Sequence, residues 1–193
     1  MICIVDCGSN KVSKLVQMVG ECGFRTRTIS MNEAKADAFK DDDGIIISGA
    51  PILLTEEKTA SYLKRFDFLK TIDTPVLGIC FGHQIIGLLY GAEITRCPDD
   101  RDWQNITFVN DSFLRKGLSD VCGMKEDHCE QISLPEEFEL VAKSKIAEVE
   151  AMSHKTRSLY GVQFHPEVSA RAGKALLKNF GDSCDAGPGS GMF

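Results

Sequence analysis

The first half of the chain alternates short, continuously apolar runs with segments in which apolar residues recur every three or four positions. Residues 2–6, 44–48 and 75–79 have the length and texture of buried strands, and 24–29 also reads as a strand. Residues 11–21, apolar at 12, 15, 16 and 19, have helical spacing, as do 32–40, 56–70 and the stretch from 81 onward. Strands apolar on both faces need cover on both. The pattern therefore predicts an α/β fold, a mostly parallel central sheet with helices on both faces, joined by right-handed crossovers. Such crossovers gather the strand C-termini along one edge, where open α/β sheets bind ligands.

Beyond Gly91 the texture changes. Residues 93–97, 104–109, 138–143, 149–153 and 160–164 read as strands with alternating or mixed faces. Residues 169–180 close the chain as a helix with Leu176, Leu177 and Phe180 on its apolar side. Residues 181–193, rich in Gly, Ser and Asp, read as a disordered tail, which leaves one domain over 1–180.

Composition narrows the function classes. Of 193 residues, 43% are apolar and 26% charged, the balance of a soluble globular domain. A net charge of −6 argues against a nucleic-acid surface, which needs clustered Lys and Arg. No apolar run approaches a membrane span, and the N-terminus reads as a strand rather than a leader, so a cytoplasmic protein is expected. Eight cysteines (3, 7, 22, 80, 97, 122, 129 and 184) form no CxxC pair, and most are expected to be small buried hydrophobes. No metal is expected. Cys122 and Cys129 with His128 come nearest to a ligand set, but their spacing fits no standard zinc pattern. The acidic run Asp41-Asp42-Asp43 reads as a solvated turn before the third strand.

Two heptads carry the chemistry. Gly78-Ile79-Cys80-Phe81-Gly82-His83-Gln84 stands between a strand and a helix, with glycines two residues either side of a cysteine. That is the thiol form of a nucleophile elbow: the turn lifts the sulfur clear of the sheet, and the glycines let strand and helix meet. The first amides of the helix then point at whatever the sulfur attacks. Gly161-Val162-Gln163-Phe164-His165-Pro166-Glu167 is a strand ending in a histidine, with a carboxylate two residues later. By roles, Cys80, His165 and Glu167 are a nucleophile, its base and an orienting acid. His83, His128 and His154 compete with His165 as the base, and of these His83 lies next to the elbow.

Both heptads resemble those of the class I, triad-type glutamine amidotransferases, and the resemblance runs from Ile4-Val5-Asp6-Cys7-Gly8-Ser9 to Leu176-Leu177-Lys178-Asn179-Phe180. Residues 149–155 leading into Tyr160-Gly161-Val162-Gln163 most resemble the glutaminase part of GMP synthase in its separate-subunit form. The resemblance implies an antiparallel β extension in the second half. It also implies hydrolysis of L-glutamine through a γ-glutamyl thioester on Cys80, with His165 as base and then acid. Ammonia would pass to a synthetase (ATP-pyrophosphatase) subunit that aminates XMP. Backbone amides of Phe81 and Ala50 would form the oxyanion hole, and Gly49 and Gln84 would hold substrate. Ala50 departs from the family pattern, which has glycine there in a Ser-Gly-Gly-Pro loop, and a conformation of positive φ would be costly for alanine. His128-Cys129-Glu130 aligns loosely with a Ser-His-x-Asp segment on the family's substrate and partner face. The chain has no P-loop and is expected to need no cofactor. The alternatives are an amidotransferase subunit of another pathway, a stand-alone γ-glutamyl amide hydrolase, an inactive binding module or a redox-sensing cysteine protein.

Overall fold

The computed structural model describes residues 1–185. Strand β1 (Ile2–Asp6) pairs in parallel with β2 (Thr26–Ser30) on one side and β3 (Gly44–Ile47) on the other. Next to β3 lies β4 (Val76–Ile79), and next to β4 lies β11 (Leu159–Val162), both parallel. From β11 the sheet continues antiparallel through β10 (Ala151–His154), β9 (Phe138–Lys143), β6 (Trp103–Phe108) and β7 (Val121–Lys125). Among the described residues the order is β2-β1-β3-β4-β11-β10-β9-β6-β7. A separate antiparallel ribbon joins β5 (Ile94–Asp100) to β8 (His128–Ile132).

Alternate residues of each parallel strand serve different cores, which is why the strands look apolar throughout. Ile2, Ile4, Ile46 and Leu77 pack against α1 (Val12–Glu21) and α4 (Ala170–Asp185), through Leu15, Val19, Leu176, Leu177 and Phe180. Cys3, Val5, Ile45 and Ile47 pack on the opposite face against α2 (Thr59–Phe66) and α3 (Phe81–Leu89), through Phe66, Ile85 and Ile86. Cys3 and Cys7 are buried there as small hydrophobes, and burial pushes their thiols up to about 11 and about 12. No helix among the described residues is long and apolar enough to cross a membrane.

Several boundaries differ from the sequence pattern. Residues 32–40 form two 3-10 turns, Met31–Glu33 and Ala36–Phe39, the first held by a capping box between Ser30 and Glu33. The 56–70 segment is α-helical only over α2 and tightens to a 3-10 turn at Asp67–Lys70. Helix α4 continues to Asp185, so positions 181–185 of the expected tail are helical; the rest of that tail lies outside the described residues. Gly181 belongs to the packing, because a Cβ there would stand 2.2 Å from the Phe24 ring. Asp42 is not a solvated turn residue. It is buried and takes a hydrogen bond of 2.9 Å from Arg27 Nε.

Strands β7 and β8 are missed by the hydrophobic pattern. In β8 the inward residues are His128, Glu130 and Ile132, so a buried face that is mostly polar hides the period of two. Phe180, fully buried and edge-on to Tyr160, ties α4 to the sheet. Phe180→Ala should cost about 3–5 kcal/mol of folding stability, read from the urea midpoint by circular dichroism.

Candidate active site

Strand β4 ends at Ile79 and α3 begins at Phe81, so Cys80 alone makes the turn. Its backbone sits at φ 50, ψ −104, a region a side chain rarely enters. The amide of Cys80 donates to the carbonyl of Val162 at 2.8 Å, and its carbonyl accepts from the Gln84 amide at 3.0 Å. The two flanking glycines are steric necessities. A Cβ on Gly78 would stand 2.5 Å from the Gly82 carbonyl, and one on Gly82 would stand 2.6 Å from the Ile47 oxygen.

His165 is brought beside Cys80 through strand register. Ile79 lies opposite Val162 in the β4–β11 pair, so the chain leaving β11 runs beside Cys80. His165 follows three residues later, its amide donating to the Lys125 carbonyl at 2.9 Å. Its Nδ1 lies 2.7 Å from Glu167 Oε1, and Cys80 is a neighbour close enough to act on its charge. Glu167 stands in the 3-10 turn Pro166–Val168. Burial alone would lower the pKa of His165; the hydrogen bonds and negative charges of Cys80 and Glu167 win and push it up to about 10.

The loop after β3 meets this pair from the other side. Ser48 Oγ accepts the Cys7 amide at 2.9 Å and donates to the Gly49 carbonyl at 2.9 Å, fixing the entry to the loop. Gly49 stands against both Cys80 and His165: a Cβ there would lie 3.0 Å from His165 Cε1 and 3.6 Å from Cys80 Cβ. Among the described residues, positive φ outside glycine occurs only at Cys80 and Ala170. Ala50 thus adopts its place without the left-handed conformation that alanine resists. Both Ala50 and Phe81 line the cleft.

That cleft has a volume of about 440 Å³, with Cys80 and His165 in its wall. Gln84 is buried; its Nε2 donates to the Glu130 carbonyl at 3.3 Å and to Gln163 Oε1 at 3.1 Å. At the rim Asp127 takes hydrogen bonds from Lys11 Nζ at 2.5 Å and Arg101 at 3.0 Å, and its carbonyl lies 4.0 Å from Cys80 Sγ. Of these, Arg101 lies in the segment 99–103 and Asp127 in the segment around His128, where the sequence departs from the family pattern and substrate or partner recognition is expected. Lys11 is marked by no local motif. Glu130 accepts the amides of Leu54 and Thr55 at 3.0 and 2.9 Å, so it anchors the opposite wall of the cleft.

The other histidines are placed elsewhere. His83 is fully buried beneath Gly161 and stays neutral, because burial and then the neighbouring His128 push it down to about 3. His154 stacks edge-on with Tyr90 and Phe138. Behind the cleft, burial raises Glu126 to about 8, with Asp100 adding to the rise. Burial and then Glu126 hold Glu150 well above the usual carboxylate range, which the Ser144 hydroxyl offsets only in part.

The family model for class-I glutamine amidotransferase matches residues 3–184. The glutamine-hydrolyzing GMP synthase subunit of Pyrococcus furiosus is 34% identical over 191 residues, covering 95% of this chain and 98% of that one. The Methanococcus aeolicus protein of the same name is 37% identical over 192 residues, covering 95% and 97%. A crystal structure of a Thermoplasma acidophilum protein, provisionally assigned as the corresponding GMP synthase subunit, superposes with a TM-score of 0.88 at 28% identity. The match covers 96% of this chain and 94% of that one.

Because the folded pKa of His165 lies above its ordinary value of 6.5, its proton stabilises the fold below that value. This contribution is lost as pH rises through about 10. Glu167→Gln removes a counter-charge. The His165 pKa, followed by NMR of the ring, should fall toward 6.5, and that part of the alkaline loss of stability should move to lower pH.

Proposed function

The chain belongs to the class-I glutamine amidotransferase family, and from that premise we propose that it is the glutamine-hydrolysing subunit of a GMP synthase. The observation that carries this reading is Cys80 on its strained turn, with His165 and Glu167 stacked beside it. The sulfur of Cys80 attacks the side-chain amide carbon of L-glutamine while His165 holds the thiol proton. Charge develops on the amide oxygen, which the backbone amides of Phe81 and Ala50 receive. As the C–N bond breaks, His165 gives its proton to the leaving nitrogen, and ammonia departs from a γ-glutamyl thioester. Water, deprotonated by the same ring, then opens the thioester, releasing glutamate and restoring the thiol.

Glutamine is a zwitterion, and the cleft rim offers both signs: Lys11 and Arg101 for its α-carboxylate, Asp127 for its α-ammonium. Gln84 acts as a positioning residue that ties α3 to the Glu130 wall. The net reaction consumes only glutamine and water, so this chain needs no cofactor. ATP chemistry and XMP belong to the partner synthetase subunit, to which ammonia passes, and the protein works in the cytoplasm.

The test is glutamate release from L-glutamine by the chain alone and mixed with a GMP-synthase ATP-pyrophosphatase subunit, XMP and Mg-ATP. Turnover that rises on mixing, with GMP formed, is expected. Turnover unchanged by the partner would reassign the chain to another pathway or to stand-alone hydrolysis. Cys80→Ala should abolish release with the fold intact by circular dichroism, and retained turnover would end the triad assignment. Asp127→Ala should raise KM about tenfold, the loss of one charged contact of roughly 1.4 kcal/mol, and change kcat less.

A further inference from the structure

Behind the cleft wall lies a group of polar side chains that the glutaminase chemistry leaves unused. Glu126 follows β7, His128 opens β8, and Glu150 immediately precedes β10. One ligand atom from each lies within 4.8 Å of the others. Both glutamates are fully buried and His128 is 6% exposed. Both carboxyls and His128 Nε2 lack a hydrogen-bond partner of normal geometry. Charged or polar groups in this state are expensive in a dry interior unless something compensates them.

The geometry of His128 says what is missing. Its Nδ1 lies 3.0 Å from the Glu130 carbonyl, which can only accept, so Nδ1 carries the hydrogen. In the neutral ring Nε2 then presents a lone pair, 3.3 Å from Glu126 Oε2. Two acceptors facing each other at that distance repel unless a proton or a cation lies between them, and the pair lacks the alignment of a hydrogen bond. Ligands bound at about 2.1 Å around a tetrahedral Zn²⁺ stand roughly 3.4 Å apart. A carbonyl holding the far nitrogen of a histidine is also how such ligands are oriented.

We propose that Glu126, His128 and Glu150 form a binding site for a divalent cation of the Zn²⁺ type. Two carboxylates and one imidazole suit such an ion, and its two charges cancel those of the two glutamates. Asp100 borders this cluster without being one of its three ligand groups. It pairs with His128 across the β5–β8 ribbon, its Oδ2 is buried and unpartnered, and its Oδ1 accepts from Gln104 at 3.0 Å. The role of the ion is structural, since it clamps the β7–β8 turn and the ribbon to the segment before β10. His128 also lines the cleft, so the clamp fixes the cleft wall and gives the ion its way in. The site shares His128 with the set weighed in the sequence but not its thiols, because Cys129 Sγ bonds Arg96 and Cys122 Sγ bonds the Ser119 carbonyl.

The test uses the full chain carrying Cys80→Ala, which removes the catalytic thiol as a rival ligand, stripped with a chelator and titrated with Zn²⁺ by calorimetry and with Co²⁺ by absorption. One ion per chain is expected. Cobalt should give visible ligand-field bands without the near-ultraviolet band of cobalt–thiolate bonds, and Zn²⁺ should raise the melting temperature. Glu126→Gln combined with Glu150→Gln should weaken binding at least a hundredfold, while Cys129→Ser should leave it unchanged. Failure to bind one equivalent at neutral pH would overturn the proposal and leave a proton shared by His128 and the two glutamates. Thiolate-type cobalt spectra, or undiminished binding by a folded double variant, would overturn it equally. If the double variant does not fold, the cobalt spectrum of the Cys80→Ala chain decides alone. None of these readouts depends on glutamine hydrolysis.

Discussion

A cysteine backbone held at φ 50 is the constraint on which the rest of the site depends. Such a conformation costs roughly 1–3 kcal/mol and persists only where its surroundings leave no other choice. Here they do so through hydrogen bonds from both neighbours in the fold, Val162 across the sheet and Gln84 one turn along α3. The close contacts of Gly78 with Gly82 and of Gly82 with Ile47 complete the restraint. The strain has a use. It is the geometry that puts a sulfur at the end of a strand, at the start of a helix, and in reach of a base from the adjacent strand.

Burial acts on the titratable groups around this turn with different results, decided by what each group faces. His83 faces another histidine and stays neutral. His165 faces Cys80 and Glu167 and holds a proton through neutral pH despite an equally dry setting. Glu126 and Glu150 face one another, and both are driven toward the neutral acid. The first two outcomes serve one chemistry: a single imidazolium beside the nucleophile, with no second base competing for its proton. The third has no part in that chemistry.

How much was legible in the residues follows from how local each signal is. The flanking glycines of Cys80 and the His-x-Glu pair are short-range patterns whose physical reason lies within a few residues. They marked the triad without any knowledge of the sheet. The doubt attached to Ala50 was a fair inference from alanine's dislike of positive φ, and it dissolves because the loop never asks for that conformation. Strand β8 is hidden for the opposite reason: its inward positions include His128 and Glu130, so no apolar period marks it. The Gly-, Ser- and Asp-rich composition after Phe180 hides the end of α4, where Gly181 makes room for Phe24 within the helix.

The residues alone point to the class of fold and to Cys80, His165 and Glu167 as the candidate nucleophile, base and acid, because each is marked by its neighbours in the chain. How these three meet depends on the folded chain. The register of β4 against β11 sets Val162 opposite Ile79, and with it the approach of His165 to Cys80. Only the tertiary structure, too, brought Lys11, Arg101 and Asp127 to one rim and Glu126, His128 and Glu150 to one buried point. These groups come from segments far apart in the chain, and long-range pairing has no periodic trace in sequence. It is fixed by which strand lies beside which.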